Sequence, residues 1–126
     1  MEMKRVLYGD DKEQNRNALA RALRLRNLEV DLVSSPQELV AKARAEKYRV
    51  IVTDLDYTLE GREGYQVLKE IRNLPALKVL FSGVCGFEYE AEAYEKGADY
   101  AVMRKDSSAL LKLLDEKLNL AGENGK

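Results

Sequence analysis

The chain has no histidine and no tryptophan, one cysteine and two prolines in 126 residues. Without an imidazole, Ser-His-Asp and Cys-His nucleophilic sites, histidine-ligated metals and any role as a phosphohistidine carrier are excluded. Chemistry is left to carboxylates, hydroxyls, lysine and arginine, with an oxygen-loving cation where charge must be offset. Cys85 has no partner for an internal disulfide, suits a reducing compartment and reads as a small loop filler. No run approaches the roughly 18 apolar residues of a membrane span, and the opening "MEMKRVLYGDD" lacks the apolar core of a signal peptide. A cytoplasmic location is expected. There is no polybasic block, and a formal charge of −1 gives no general pull toward nucleic acid or an anionic membrane.

What is present is an ordinary globular composition, 45% hydrophobic and 34% charged, in a length that suits one domain. That domain is expected over 1–121, followed by a flexible C-terminal tail, "GENGK", at 122–126. Five strand-like runs recur: "RVLYG" (5–9), "VDLV" (30–33), "VIVT" (50–53), "KVLFSG" (78–83) and "YAVM" (100–103). Several are continuously apolar, as strands covered on both faces are. Helical periodicity lies between and after them, over 13–26, 63–73 and 107–120. "SPQE" at 35–38 marks a further helix start, with Ser35 as N-cap, Pro36 in the first turn and Glu38 completing a capping box. Asp106 in "KDSS" offers another cap. Strand and helix alternating five times reads as an α/β fold, a doubly wound five-stranded parallel sheet with helices on both faces. The flavodoxin-like strand order 2-1-3-4-5 is expected.

In that order the first and third strands are neighbours, and ligands bind in the crevice beyond their carboxyl ends. The first strand here runs into Asp10 and Asp11, the third into Asp54. Three carboxylates so close repel one another, and a divalent cation with oxygen ligands, Mg²⁺, relieves that repulsion. The fourth strand ends in Ser82 followed by Gly83, and the fifth delivers Arg104 or Lys105 to the same rim. A carboxylate nucleophile, acids for a metal, a hydroxyl and a cation make a set suited to handling a phosphoryl group.

These residues resemble the receiver domain of bacterial two-component response regulators, from residue 4 to about 120. "KRVLYGDD" looks like that family's first strand and acidic pair, with Gly9 where valine is common; "VIVTDL" looks like its third strand with the phospho-acceptor, here Asp54. "KVLFSG" is similar to the fourth strand with its hydroxyl at Ser82, and "GADYAVMRKDSS" to the fifth with its lysine. The resemblance implies that Asp54 takes a phosphoryl group from a sensor histidine kinase or phosphotransfer protein. It implies Mg²⁺ on Asp10, Asp11 and Asp54, with the backbone carbonyl of Asp56 as a further ligand. The output it implies is an altered surface around strands 4 and 5 that binds a downstream target protein. Tyr89, Tyr94 and Tyr100 are contact candidates.

The chain also departs from the family pattern. Counting from Gly97, the usual lysine offset lands on Arg104, whereas the following "KDSS" favours Lys105 with one inserted residue. A one-residue slip turns a strand side chain to the other face, so only one of them points inward. The aromatic switch position falls on Val102 or Ala101, neither aromatic. The loop after Asp54 lacks the usual proline, carrying Thr58, and its glycine comes late, at Gly64. "DLDYTL" (54–59) is moreover similar to the first motif of the haloacid dehalogenase superfamily, D-x-D-x-T. In those phosphatases the metal-binding acids follow the motif; here the acidic pair precedes it. The borrowed chemistry assigns Asp56 as a base that shortens the phosphorylated lifetime. The leading expectation is a free-standing signalling module whose only catalysis is its own phosphorylation and dephosphorylation. The alternatives are a receiver-like interaction domain that is never phosphorylated and a small aspartate-based phosphatase.

Overall fold

In the computed structural model of the chain, which describes residues 4–84 and 86–119, five strands form one parallel sheet. They are β1 (Arg5–Gly9), β2 (Glu29–Val33), β3 (Val50–Thr53), β4 (Leu77–Ser82) and β5 (Tyr100–Met103), ordered β2-β1-β3-β4-β5. The helices are α1 (Glu13–Arg24), α2 (Pro36–Ala45), α3 (Glu63–Ile71), α4 (Phe87–Lys96) and α5 (Ser107–Lys117), with a 3₁₀ turn, Arg104–Asp106, before the last. Cys85 and the tail expected over 122–126 lie outside the described residues. Among the described residues, no helix is long and apolar enough to cross a membrane.

The strand pleat divides the core. Val6, Tyr8, Val52, Val79 and Phe81 face α1 and α5, against Leu19, Leu23, Leu110 and Leu114. Leu7 and Ile51 pack beneath α2 and α3, and Leu80 packs with Tyr65, Leu68 and Ala93 of α3 and α4. Both faces are covered, which is why the strands read as continuous apolar runs. Right-handed crossovers require α1 on one face when the chain steps from β1 to β2, and α2 on the other when it returns to β3. The chain therefore leaves β1 and β3 in opposite directions, and a crevice opens between their carboxyl ends.

Three helices end earlier than the periodicity predicts, at Arg24, Ile71 and Lys117. After α1, Asn27 takes a left-handed conformation (φ 63°) and the Leu28 N–H returns to the Leu23 carbonyl, a closing bond that stops the helix. Ser35 caps α2, accepting the Glu38 N–H at 3.2 Å. Glu38 reaches back to the N–H and hydroxyl of Ser34, one residue before the expected partner. Asp106 stands at the N-cap of α5 without acting as a cap: its carboxylate accepts the Ser108 hydroxyl at 3.2 Å and no backbone N–H. The preceding 3₁₀ turn leaves it at φ −110°, ψ 54°, away from the extended geometry of a capping residue.

The start of α3 is pressed onto the end of β3. The Gly64 N–H donates to the Leu55 carbonyl at 2.7 Å, and a Cβ at Gly64 would lie 2.2 Å from the Asp54 carbonyl oxygen. Only glycine fits there. Gly64→Ala is therefore expected to cost about 2–3 kcal/mol, read as a lowered urea midpoint at unchanged slope. An unchanged midpoint would show that the loop can yield.

Candidate functional site

Asp10 and Asp54 follow β1 and β3 directly, and their N–H groups extend the ladder to the carbonyls of Val33 (3.1 Å) and Gly9 (2.9 Å). Both side chains are buried, while Asp11 is exposed above them. One carboxylate oxygen from each of the three lies within 4.8 Å of the others, so the expected convergence is present. Burial, and then the neighbouring Asp10 charge, push Asp54 from an ordinary 3.8 up to about 6, with Arg104 opposing them. The donor set is all carboxylate oxygen, which suits a hard divalent cation. Asp11 is open to solvent, and Asp54 Oδ2 takes no hydrogen bond from the described residues.

A guanidinium already touches two of these acids. Arg104 Nη2 donates to Asp54 Oδ1 at 2.8 Å and to Asp10 Oδ2 at 3.0 Å, and lies 3.3 Å from the Phe81 carbonyl. Its Cζ stands 5.7 Å over the Phe81 ring. Gly83 clears the way, since a Cβ there would come within 3.0 Å of Arg104 Nη1. The structure thus places Arg104, rather than the expected Lys105, against the carboxylates. β5 ends at Met103, paired with Ser82, and the 3₁₀ turn that begins at Arg104 leaves Lys105 exposed. Three residues before Arg104 stands Ala101, a half-buried methyl. Ser82 is buried at the end of β4, where its Oγ accepts the Val84 N–H at 3.2 Å and its own O–H remains a donor.

Asp10 carries hydrogen bonds that the sequence reading did not anticipate. The Tyr8 hydroxyl donates to Oδ2 at 2.7 Å and the Lys12 N–H to Oδ1 at 2.9 Å; Asn15 Nδ2 reaches both oxygens at 3.2 and 3.3 Å. The Lys12 contact brings the positive end of α1 to the carboxylate. Tyr8 was legible in principle, being two residues before Asp10 and so on the same side of the strand.

The "DLDYTL" loop is organised differently from the motif it resembles. Asp56 Oδ1 accepts the Arg62 N–H at 2.6 Å, closing its own loop, and Asp56 does not join the three converging carboxylates. The Thr58 hydroxyl bonds Glu63, whose carboxylate also takes the N–H groups of Tyr57 (2.9 Å) and Thr58 (3.4 Å). Burial works against ionisation of Glu63, but these donors outweigh it and hold its carboxyl below the usual range. Tyr57 turns inward: its O–H donates to Thr53 Oγ1 at 2.8 Å, and Thr53 in turn donates to the Asp54 carbonyl at 2.8 Å. A Cβ at Gly9 would lie 2.5 Å from the Tyr57 hydroxyl oxygen. Leu39 Cδ1 would be as close, so the glycine in place of the common valine leaves the space that Tyr57 and Leu39 fill.

The sequence matches the family model of the response regulator receiver domain over residues 6–115. Chemotaxis protein CheY4 of Vibrio cholerae is similar in fold at 22% identity, with 91% of this chain and 98% of that one covered and a TM-score of 0.81. A two-component response regulator from Clostridium difficile gives 20% identity, coverage of 93% and 97%, and a TM-score of 0.84. A response regulator protein from Burkholderia pseudomallei, solved with a phosphorylated aspartic acid, calcium ion and citrate, gives 25% identity, coverage of 96% and 72%, and a TM-score of 0.79. No protein of curated function matches the sequence. With the sheet order, the acidic crevice and a family match over most of its length, the chain belongs to the response regulator receiver domain family.

Proposed function

We propose that Asp54 accepts a phosphoryl group from the phosphohistidine of a sensor kinase or phosphotransfer protein, and that the loaded domain signals by binding a downstream protein. The observation that carries this reading is the buried Asp54 carboxylate beside Asp10 and Asp11, at the one crevice the strand order creates. In the transfer, an Asp54 oxygen bonds to phosphorus as the phosphorus–nitrogen bond breaks and the electron pair leaves on the donor imidazole. Oδ1 is taken by the Leu55 N–H (2.8 Å) and Arg104, which leaves Oδ2 as the attacking atom. The Ser82 O–H and Arg104 stand at the same rim to bind phosphoryl oxygens, and exposed Lys105 adds positive potential for an anionic donor. Asp10, Asp11 and Asp54 would hold Mg²⁺, which when bound offsets charge on those oxygens. The Burkholderia relative, solved with a phosphorylated aspartic acid and a calcium ion, supports this assignment.

No turnover beyond loading and self-discharge is proposed for this cytoplasmic module. Its output surface is α4 with β5, where Phe87 and Tyr94 are exposed and Tyr89 and Tyr100 half-buried. Incubation with a small phosphodonor and Mg²⁺ is expected to give one phosphoryl adduct by intact-mass spectrometry, absent without Mg²⁺ and in Asp54→Asn. No adduct on prompt quenching, with no phosphate release, would move the reading to an interaction domain that is not phosphorylated.

Two further outcomes follow from the site. Because Asp56 is engaged with Arg62, Asp56→Asn, which keeps an acceptor there, is expected to leave the adduct lifetime within about twofold. A lifetime lengthened about tenfold would restore Asp56 as the base that discharges the adduct. The second outcome concerns pH. The folded chain holds a proton on Asp54 up to about pH 6, whereas the ordinary carboxyl releases it near 3.8. Folding takes up a proton between those values, so this group makes stability fall as pH rises through the window. With chelator present, Asp54→Asn is expected to be more stable than wild type by about 1–3 kcal/mol at pH 7.5, the gain shrinking toward zero near pH 4. Urea melts at the two pH values check this.

A further inference from the structure

Asp10 is saturated, and the identity of its partners has a consequence for the cation. Each carboxylate oxygen offers two lone pairs. Oδ1 is met by the Lys12 N–H at 2.9 Å and Asn15 at 3.3 Å, Oδ2 by Tyr8 at 2.7 Å, Arg104 at 3.0 Å and Asn15 at 3.2 Å. A cation bound to Asp10 must displace a donor. The Lys12 donor is backbone at the start of α1 and does not swing away. Tyr8 is fully buried on a strand flanked by two others, its ring 6.3 Å from that of Phe81. Asn15 and Arg104 are the movable ones. Asn15 is half-buried, neutral and makes the longest contacts. Arg104 follows the end of the edge strand, with its side chain 25% exposed and its Nε buried with no acceptor among the described residues, and it is the one whose charge opposes a cation.

We propose that the Tyr8 hydroxyl makes the Arg104 guanidinium and a divalent cation alternative occupants of Asp10 Oδ2. The inference rests on the cation reading given above and assigns Tyr8, which touches no phosphoryl group, as a positioning residue. With Tyr8 holding one lone pair, guanidinium and cation compete for the other. They also repel as like charges a few ångströms apart, and that repulsion is strong where water is excluded. Filling the cation site therefore turns Arg104 off Asp10, while its bond to Asp54 Oδ1 is made to a different carboxylate and persists. The arginine is then free of Asp10 at the rim where Ser82 and Gly83 leave room. Without the Tyr8 hydroxyl, and with Asn15 kept on Oδ1, Oδ2 has a lone pair for each and the exclusion is relieved.

Mg²⁺ titration calorimetry on the full chain tests this, with wild type, Arg104→Gln, Tyr8→Phe and the double variant, and with Asp11→Asn as a check that binding is at this site. Arg104→Gln is expected to tighten Mg²⁺ about tenfold, and Tyr8→Phe by about threefold or more. In the Tyr8→Phe background the effect of Arg104→Gln is expected to shrink to about threefold or less. An equal Arg104→Gln effect in both backgrounds, or weaker binding in either single variant, overturns the inference while leaving the cation reading in place. No Mg²⁺ binding by any folded variant overturns both. Circular dichroism verifies folding, and Arg104→Lys, whose shorter ammonium withdraws from Asp10, substitutes for Arg104→Gln with the same expected direction.

Discussion

Two carboxylates buried side by side are the constraint around which the site is built. Asp10 and Asp54 emerge from adjacent parallel strands, and at that spacing, out of water, neither tolerates an uncompensated charge. One guanidinium bridges them, and the rest of the local architecture makes that bridge possible. β5 stops one residue before Arg104, the 3₁₀ turn aims it inward, and Gly83 has no side chain in its path. Tyr8, Asn15 and the Lys12 N–H just before α1 spread the remaining charge on Asp10 over neutral donors. The cost of burial is thereby met by several modest contacts rather than one strong one. Asp54 keeps an elevated pKa and an uncommitted oxygen.

The loop that follows Asp54 obeys a second constraint, that its polar backbone be satisfied while it stays close to the acceptor. Glu63 gathers two loop N–H groups and a hydroxyl, Asp56 takes a third N–H, and Gly64 lets α3 rest on the Asp54 carbonyl. Tyr57 pins the loop from below through Thr53. The likeness of "DLDYTL" to a phosphatase motif is thus one of spacing: here its second aspartate and its threonine are bonded within the loop. The same reading makes sense of Gly9, since a valine there would collide with Tyr57.

The sheet and its acids were legible in the sequence. Continuous apolar strands of four to six residues separated by helical periods admit few topologies, and right-handed crossovers bring the ends of the first and third strands together whatever the loops do. Asp10, Asp11 and Asp54 could be placed at one crevice for that reason, and the family resemblance followed from the same residues. Helix ends were less legible because they depend on which residue first takes a left-handed or 3₁₀ turn, as at Asn27 and Arg104.

What the sequence by itself determined is the set of chemical groups and the strand ends that carry them; it excluded imidazole chemistry outright. Tertiary structure alone put Arg104, and not Lys105, against the carboxylates, because a strand end that shifts by one residue reverses the direction of a side chain, and the pairing of Met103 with Ser82 sets that end. It alone turned Asp56 into its own loop and Tyr8 onto Asp10. A hydrogen bond is a matter of about an ångström and of direction, and neither is written in spacing along a chain.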